Sequence, residues 1–261
     1  MVSDILDRIL AAKAAEVAER RRDRPAAALR ERPMYGEARR GFGHALATHA
    51  GRTIIAEVKR ASPSRGVIRA DIDAAATAGH YADGGAAAIS VLTDGPFFGG
   101  SLADLEAIHA AVPLPVLRKD FIIDPYQVEE SRAFGADAVL VIVAATDASQ
   151  RRDLLAAAAA LDLDAIVEVH DEAELEAALE AGAGIVGINN RDLRTFHTTL
   201  AVSERLLPLV PPSVTAVCES GLHAAADIER LGHLGARAFL IGEALMESGD
   251  PRQRLRELRG G

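Results

Sequence analysis

Several short apolar runs in this chain end in residues that can give or take a proton. TIIAEVKR carries Glu57 and Lys59 two residues apart, which places both on one face of a strand. PVLRKDF ends at Lys119, DAIVEVH delivers Glu168, IVGINNR delivers Asn189 and TAVCESG delivers Glu219. If these runs are neighbouring strands pointing the same way, two ammoniums and three carboxylates converge on one rim. The bland alternative is a set of buried ion pairs that merely neutralise one another. Desolvation pushes a lysine down from about 10.4 while adjacent carboxylates push it back up, so such groups can rest in different protonation states, as an acid–base sequence requires. Of 29 basic residues only three are lysines, Lys13, Lys59 and Lys119, and the remaining 26 are arginines. An ammonium can release its proton in a desolvated site and a guanidinium effectively cannot, so lysines retained at two strand ends point to proton transfer.

A second group has the makings of a phosphate cup. Ser220-Gly221 and Gly242 follow two late apolar runs, where glycine lets backbone N–H groups approach an anion at the start of a helix. Either one alone is read more simply as a turn glycine. The segment Arg60 to Asp71, RASPSRGVIRAD, is long, polar and broken by Pro63 and Gly66, and so reads as a lid whose Ser62 and Ser64 can donate to a phosphate. His170 shares the parity of Glu168 but reads better as a structural or solvent-facing histidine. Cys218 has the opposite parity to Glu219 and should lie outward as an inert buried thiol. The histidines lack metal-binding spacing, and no P-loop, G-x-S-x-G or C-x-x-C occurs. No metal and no cofactor are expected.

The elements that must position these residues recur eight times: Thr53 to Val58, Ala87 to Leu92, Pro115 to Leu117, Ala138 to Val143, Asp164 to Val169, Ile185 to Ile188, Val214 to Val217 and Ala238 to Ile241. Helical segments such as Asp153 to Leu161 and Glu172 to Ala181 lie between them. Nearly continuous apolar strands alternating with helices imply a parallel sheet, and eight units match the arithmetic of an α/β (β/α)8 TIM barrel. An open doubly wound sheet is the competitor, but no G-x-G-x-x-G follows the first run. Residues 1–50 read as an N-terminal helical extension, two helical pieces broken near Pro33 to Gly36, and residues 51–261 as the barrel, together one domain.

Composition narrows the partners. The 38 acidic residues outnumber the basic ones, giving a net charge of −9, and the scattered arginines form no stripe for a nucleic-acid backbone. No apolar run approaches the roughly 20 residues that span a bilayer, and the N-terminal stretch reads as an amphipathic helix without the apolar core of a secretory signal. A single cysteine fits a reducing cytoplasm. The expected partner is a small phosphorylated molecule, held locally, with no nucleic acid and no membrane. The oligomeric state is open, a monomer being the simplest expectation.

EVKRASPSRG from Glu57, LRKDFIIDPYQV from Leu117, IVEVHDEAEL from Ile166, GINNRDL from Gly187, ESGL from Glu219 and IGEALM from Ile241 together resemble the indole-3-glycerol-phosphate synthase family of tryptophan biosynthesis. The likeness extends over essentially the whole chain, N-terminal extension included. It implies a lyase that converts 1-(2-carboxyphenylamino)-1-deoxyribulose 5-phosphate to indole-3-glycerol phosphate, carbon dioxide and water. By the resemblance Lys119 is the general acid, Glu168 the base of the dehydration and Lys59 the partner of the anthranilate carboxylate. Glu57 and Glu219 match the acids that position lysines and substrate, and Asn189 and Arg191 the polar pair that orients hydroxyls and Glu168. Phe121 matches the wall of the ring site, while Ser62, Ser220, Gly221 and Gly242 fall where the family holds phosphate. Glu243 departs from members with serine there; a carboxylate facing phosphate would repel it, so Glu243 is left outside the expected site. Asn190 likewise stands where a serine is often found. The neighbouring phosphoribosylanthranilate isomerase needs a cysteine near the end of its first strand, where this chain has Glu57 and Lys59. A non-catalytic sugar-phosphate barrel is the rival from another class. A fused second barrel would need about 200 further residues, so one activity is expected.

Overall fold

The computed structural model describes residues 5–192 and 195–260. Leu193, the last residue of the GINNRDL motif, and the first four residues of the N-terminal stretch lie outside the described residues. Where two helical pieces were expected ahead of the first strand, there are three: α1 (Ile5–Asp23), α2 (Ala26–Arg30) and α3 (Phe42–Thr48), with a 3-10 turn at Pro33–Gly36. The extra break falls at Pro25, which lacks an N–H for the helical ladder and disfavours helical geometry at Arg24. The extension closes both ends of the barrel that the later strands form. Phe42 and Leu46 of α3 join the apolar cluster inside the barrel, and the Gly43 N–H donates to Asp164 at the base of a strand (2.8 Å). Ile9 of α1 joins the same cluster from the opposite end, near Phe98 and Phe121.

The apolar runs form strands β1 (Thr53–Val58), β2 (Ala88–Leu92), β3 (Val116–Lys119), β4 (Ala138–Ile142), β5 (Asp164–Val169), β6 (Ile185–Asn189), β7 (Thr215–Glu219) and β8 (Ala238–Ile241). They close into a parallel barrel in which β1 pairs with both β2 and β8, so the sheet has no edge and the open doubly wound alternative falls. Period-two alternation sorts the side chains. Ile55, Leu117, Leu140, Ile166, Ile185, Val217 and Leu240 fill the interior, while Ile54, Ala56, Val167, Ile188, Cys218 and Phe239 pack outward beneath the helices. Further inward positions toward the carboxyl ends include Ile142, Glu57, Lys119, Glu168, Asn189 and Glu219. Cys218 is buried among apolar groups, which push its thiol up to about 12.

The outer helices are α4 (Ala74–Asp83), α5 (Gly95–Phe98), α6 (Leu102–Ala111), α7 (Pro125–Ala133), α8 (Ala148–Ala160), α9 (Glu172–Glu180), α10 (Ala201–Leu206), α11 (Ala225–His233), α12 (Glu243–Met246) and α13 (Pro251–Arg259). Their starts are written locally in the loops after the strands. Asp73, Asp94, Ser101, Asp124, Asp147, Asp171 and Asp250 each accept a backbone N–H of the first turn. Among the described residues no helix is long and apolar enough to cross a membrane.

Candidate active site

All twelve residues singled out in the sequence line one cavity of about 930 Å³ at the carboxyl end of the barrel. Its floor is a charge cluster. The Lys119 Nζ lies 2.9 Å from Glu168 Oε2 and 2.9 Å from Glu219 Oε2, and the Lys59 Nζ lies 2.8 Å from Glu57 Oε2. The three carboxylates are buried. Register explains the fit: Glu168 sits level with Gly187, and Asn189 with Glu219. A Cβ on Gly187 would overlap Glu219 Oε1, so glycine there makes room for the carboxylate.

Environment drives the two carboxylates around Lys119 apart. Burial opposes ionisation of Glu168, but the Lys119 ammonium, His170 and a hydrogen bond from Asn189 outweigh it and hold the carboxyl well below the usual range. Glu219 is raised, by burial and by the nearby charges of Glu168 and Glu57, despite its contact with Lys119. Burial works against the Lys119 charge as well, yet Glu168, Glu219 and Glu57 together lift its pKa above that of an ordinary lysine. Asn189 is fixed for its task, since its Oδ1 accepts the Arg191 backbone N–H (3.1 Å).

The upward shift of Glu219 makes a stability prediction. A carboxyl whose folded pKa exceeds its unfolded value near 4.3 holds its proton more tightly in the folded state, so it costs stability as pH rises past that value. Glu219→Gln should therefore raise the melting temperature at pH 8 by roughly 2 °C or more beyond any change at pH 5, as read by calorimetry. Equal shifts at the two pH values would contradict this assignment.

Beside the charges stands an aromatic slot. Phe121 and Phe98 lie with ring centroids 6.1 Å apart at 40°, and Leu140 and Ile142 line the same cavity. Phe98 escaped the sequence reading because it sits on α5, beyond the end of β2, where strand parity says nothing about direction.

The opposite end of the cavity carries the residues expected to meet an anion, Ser62, Arg191, Ser220, Gly221 and Gly242. The Arg60–Asp71 segment folds partly into a small hairpin, Ala61–Ser62 against Gly66–Val67, and Arg60 ties it down through two bonds to Asp104 (2.6 and 2.8 Å). Ser220 adopts a left-handed conformation (φ 64°), uncommon for a residue with a side chain, and Gly221 follows at φ 75°. Asn190 braces this turn by donating to the carbonyls of Glu219 (3.0 Å) and Ser220 (3.2 Å). Gly242 has a negative φ of −119°; its glycine is demanded by Glu57, whose Oε2 a Cβ would overlap.

His170 has a structural setting, as expected: it does not line the cavity, its Nδ1 lies 2.9 Å from Glu174 Oε2, and its Nε2 stands 3.5 Å behind Glu168 Oε1. One residue stands differently from its expectation. Glu243, set outside the expected site, lines the cavity. There it accepts from Arg191 Nη2 (3.1 Å) and from Arg65, which hold its carboxyl below the usual range against the opposing effect of burial. Arg191 also donates to Ser64 (2.9 Å), drawing the first loop toward the sixth strand. A phosphate dianion entering here meets two arginines whose combined charge is partly offset by the one carboxylate they share. Glu243→Gln should therefore strengthen inhibition by inorganic phosphate about fivefold, the order of one like charge at close range, roughly 1 kcal/mol. Weaker inhibition would mean that Glu243 instead holds the arginines in place for the anion.

A parallel eight-stranded barrel with an ammonium between two carboxylates, an aromatic slot and an arginine-lined far end defines a (β/α)8 barrel with its titratable groups gathered at the carboxyl ends of the strands. The comparisons narrow that class. A family model described as indole-3-glycerol phosphate synthase matches residues 6–258. Curated relatives of that name include one from Roseiflexus sp. (strain RS-1), 50% identical over 98% of this chain and 98% of its own, and one from Aromatoleum aromaticum (strain DSM 19018 / LMG 30748 / EbN1), 48% identical over 99% of this chain and all of its own. The chain belongs to the indole-3-glycerol phosphate synthase family, lyases of tryptophan biosynthesis. Among solved structures, 3-hexulose-6-phosphate synthase from Salmonella typhimurium superposes with a TM-score of 0.66 at 17% identity, covering 80% of this chain and 97% of that one, a likeness of fold alone.

Proposed function

We propose that this chain performs the ring closure itself, with Lys119 as general acid and Glu168 as the later base. The observation that carries this reading is the Lys119 ammonium held at 2.9 Å from both Glu168 and Glu219 beside an apolar aromatic slot. The anthranilate ring of 1-(2-carboxyphenylamino)-1-deoxyribulose 5-phosphate packs against Phe121, its carboxylate faces Lys59, and its phosphate lies among Ser62, Arg191, Ser220 and the backbone of Gly221 and Gly242. The ring carbon bearing the carboxylate attacks the ribulose carbonyl carbon while Lys119 protonates the oxygen. The alkoxide that would otherwise form is a stronger base than an amine, so the raised lysine pKa does not block the transfer. The carboxylate then leaves as carbon dioxide, and its bonding electrons return to the ring system.

Dehydration uses what the first step has changed. While Lys119 is charged it holds Glu168 ionised; once the lysine has given up its proton, the largest influence opposing burial is gone, and although His170 and Asn189 still favour the carboxylate, its affinity for a proton rises. Glu168 removes a proton from the ring methylene and the hydroxyl leaves as water, Lys59 being the second ammonium available to protonate it. Glu57 and Glu219 hold the two lysines, and Asn189 holds Glu168. This chain supplies every residue the scheme uses, so a monomer suffices. A cytoplasmic location accords with one buried, unpaired cysteine.

The test is indole fluorescence on mixing the protein with the carboxyphenylamino-deoxyribulose phosphate. Turnover is the expected result, and binding without turnover would leave a sugar-phosphate barrel with different chemistry. The isomerase alternative has no support in the geometry, since Cys218 lies outward on β7 away from the cavity.

A further inference from the structure

Of the three lysines, Lys59 and Lys119 lie in the cavity, while Lys13 takes no part in the proposed chemistry. It belongs to a stripe on α1 formed by Ile9, Lys13 and Val17, and its side chain is 1% exposed. A buried charge must be paired to be tolerated. The Lys13 Nζ lies 2.7 Å from Glu16 Oε2, 2.9 Å from Asp94 Oδ2 and 2.9 Å from Asp120 Oδ1, so three carboxylates surround the one ammonium at ion-pair distance.

Two of those carboxylates sit under the aromatic slot. Asp94 caps α5, and its Oδ1 accepts the Phe97 N–H (2.8 Å) one residue before Phe98. Asp120 stands between Lys119 and Phe121. Its Oδ1 accepts the Phe121 N–H (2.8 Å), while its Oδ2 accepts from Thr93 (2.6 Å) and from the buried Arg118 (3.0 Å). One ammonium therefore joins the backbone anchors of both rings that face each other at 6.1 Å. Without it, two buried carboxylates would face each other across the ammonium's place, and repulsion would press on the α5 cap and on the Phe121 turn. An arginine replaces it only in part, because a wide planar guanidinium does not fit the point between three carboxylates that the compact ammonium fills.

From this we infer that Lys13 is a positioning residue: the N-terminal helix sets the width of the aromatic slot through the Lys13–Asp94–Asp120 contacts and so governs recognition of the substrate's ring. The inference rests on the proposed substrate for its kinetic arm, and a binding arm separates the two. Lys13→Met should raise the KM for the carboxyphenylamino substrate about tenfold or more and lower kcat by a smaller factor. Inhibition by inorganic phosphate, which occupies the far end of the cavity, should change less than twofold. Adding Asp94→Asn to Lys13→Met removes the repulsion yet keeps an oxygen for the Phe97 N–H, and should restore much of the lost affinity. Anthranilate, titrated by its own fluorescence, reads the slot even if the chain proves to turn over another substrate, and its affinity should fall and recover in parallel.

An unchanged KM and unchanged anthranilate binding in a folded Lys13→Met protein would overturn the inference. So would an equal loss of phosphate inhibition, or no recovery in the double variant, since either is what general loosening of the barrel produces. If Lys13→Met does not fold, Lys13→Arg carries the same comparison, with an intermediate loss of ring affinity expected and parental affinity overturning the inference.

Discussion

Lys119→Ala is expected to lower turnover by about 10²- to 10⁴-fold while the barrel stays folded, because the substitution removes the ammonium in contact with both Glu168 and Glu219. Carbon–carbon bond formation at the carbonyl then has no proton donor held in place, and the alkoxide must form unassisted. The carboxylates left behind do not unfold the protein: Glu219, already raised, takes up a proton and relieves the repulsion. Indole fluorescence with the carboxyphenylamino-deoxyribulose phosphate measures the loss. A circular dichroism spectrum matching the parent guards against reading misfolding as catalysis. Near-normal turnover in the variant would remove Lys119 from the mechanism. Retained substrate affinity beside lost turnover would instead separate the acid's role in the reaction from any role in holding the ligand.

Glu168→Gln should act later in the same sequence. Glutamine keeps the size of the side chain and can still accept from Lys119, so binding and ring closure have what they need. It cannot take a proton from the ring methylene, and dehydration should slow by about 10²- to 10⁴-fold. In a single turnover stopped with acid, the ring-closed, decarboxylated and still hydroxylated species should accumulate ahead of product. Slow turnover with no such species would place the lost step before ring closure and withdraw the base assignment. The two variants together test the order of events, because an acid defect leaves substrate unchanged and a base defect leaves a closed ring.

Much of this site is legible in the chain's residues alone. The (β/α)8 class followed from eight apolar runs separated by helical segments, and the convergence of Glu57, Lys119, Glu168, Asn189 and Glu219 followed from strand parity. Both rest on strictly local rules: side chains alternate along a strand, and parallel neighbours repeat that alternation level by level. Cys218 obeyed the same rule in the outward direction. Pro25 also carried its message in the sequence, although the extra break it makes in the extension was not read from it.

Parity fails where the strands stop. Phe98, Glu243 and Arg65 lie on loops or short helices whose course depends on what packs beneath them, and their pairing spans up to 178 positions of chain, as between Arg65 and Glu243. Electrostatic argument alone left Glu243 outside the expected site; it does line the cavity, where Arg65 and Arg191 offset its charge. The need for glycine at positions 187 and 242 became intelligible only when Glu219 and Glu57 were seen to occupy the space a Cβ would take.

The sequence by itself determined the elements, their order, the inward face of each strand and the family to which the chain belongs. Those are properties of local periodicity and of motifs a few residues long. Only the tertiary structure decided which charges touch: that Lys119 is shared by two acids, that His170 backs Glu168, and that Lys13 joins the supports of Phe98 and Phe121. Such pairings are settled by closure of the barrel and by burial, which brings residues distant along the chain into a low-dielectric space where each charge must find a partner.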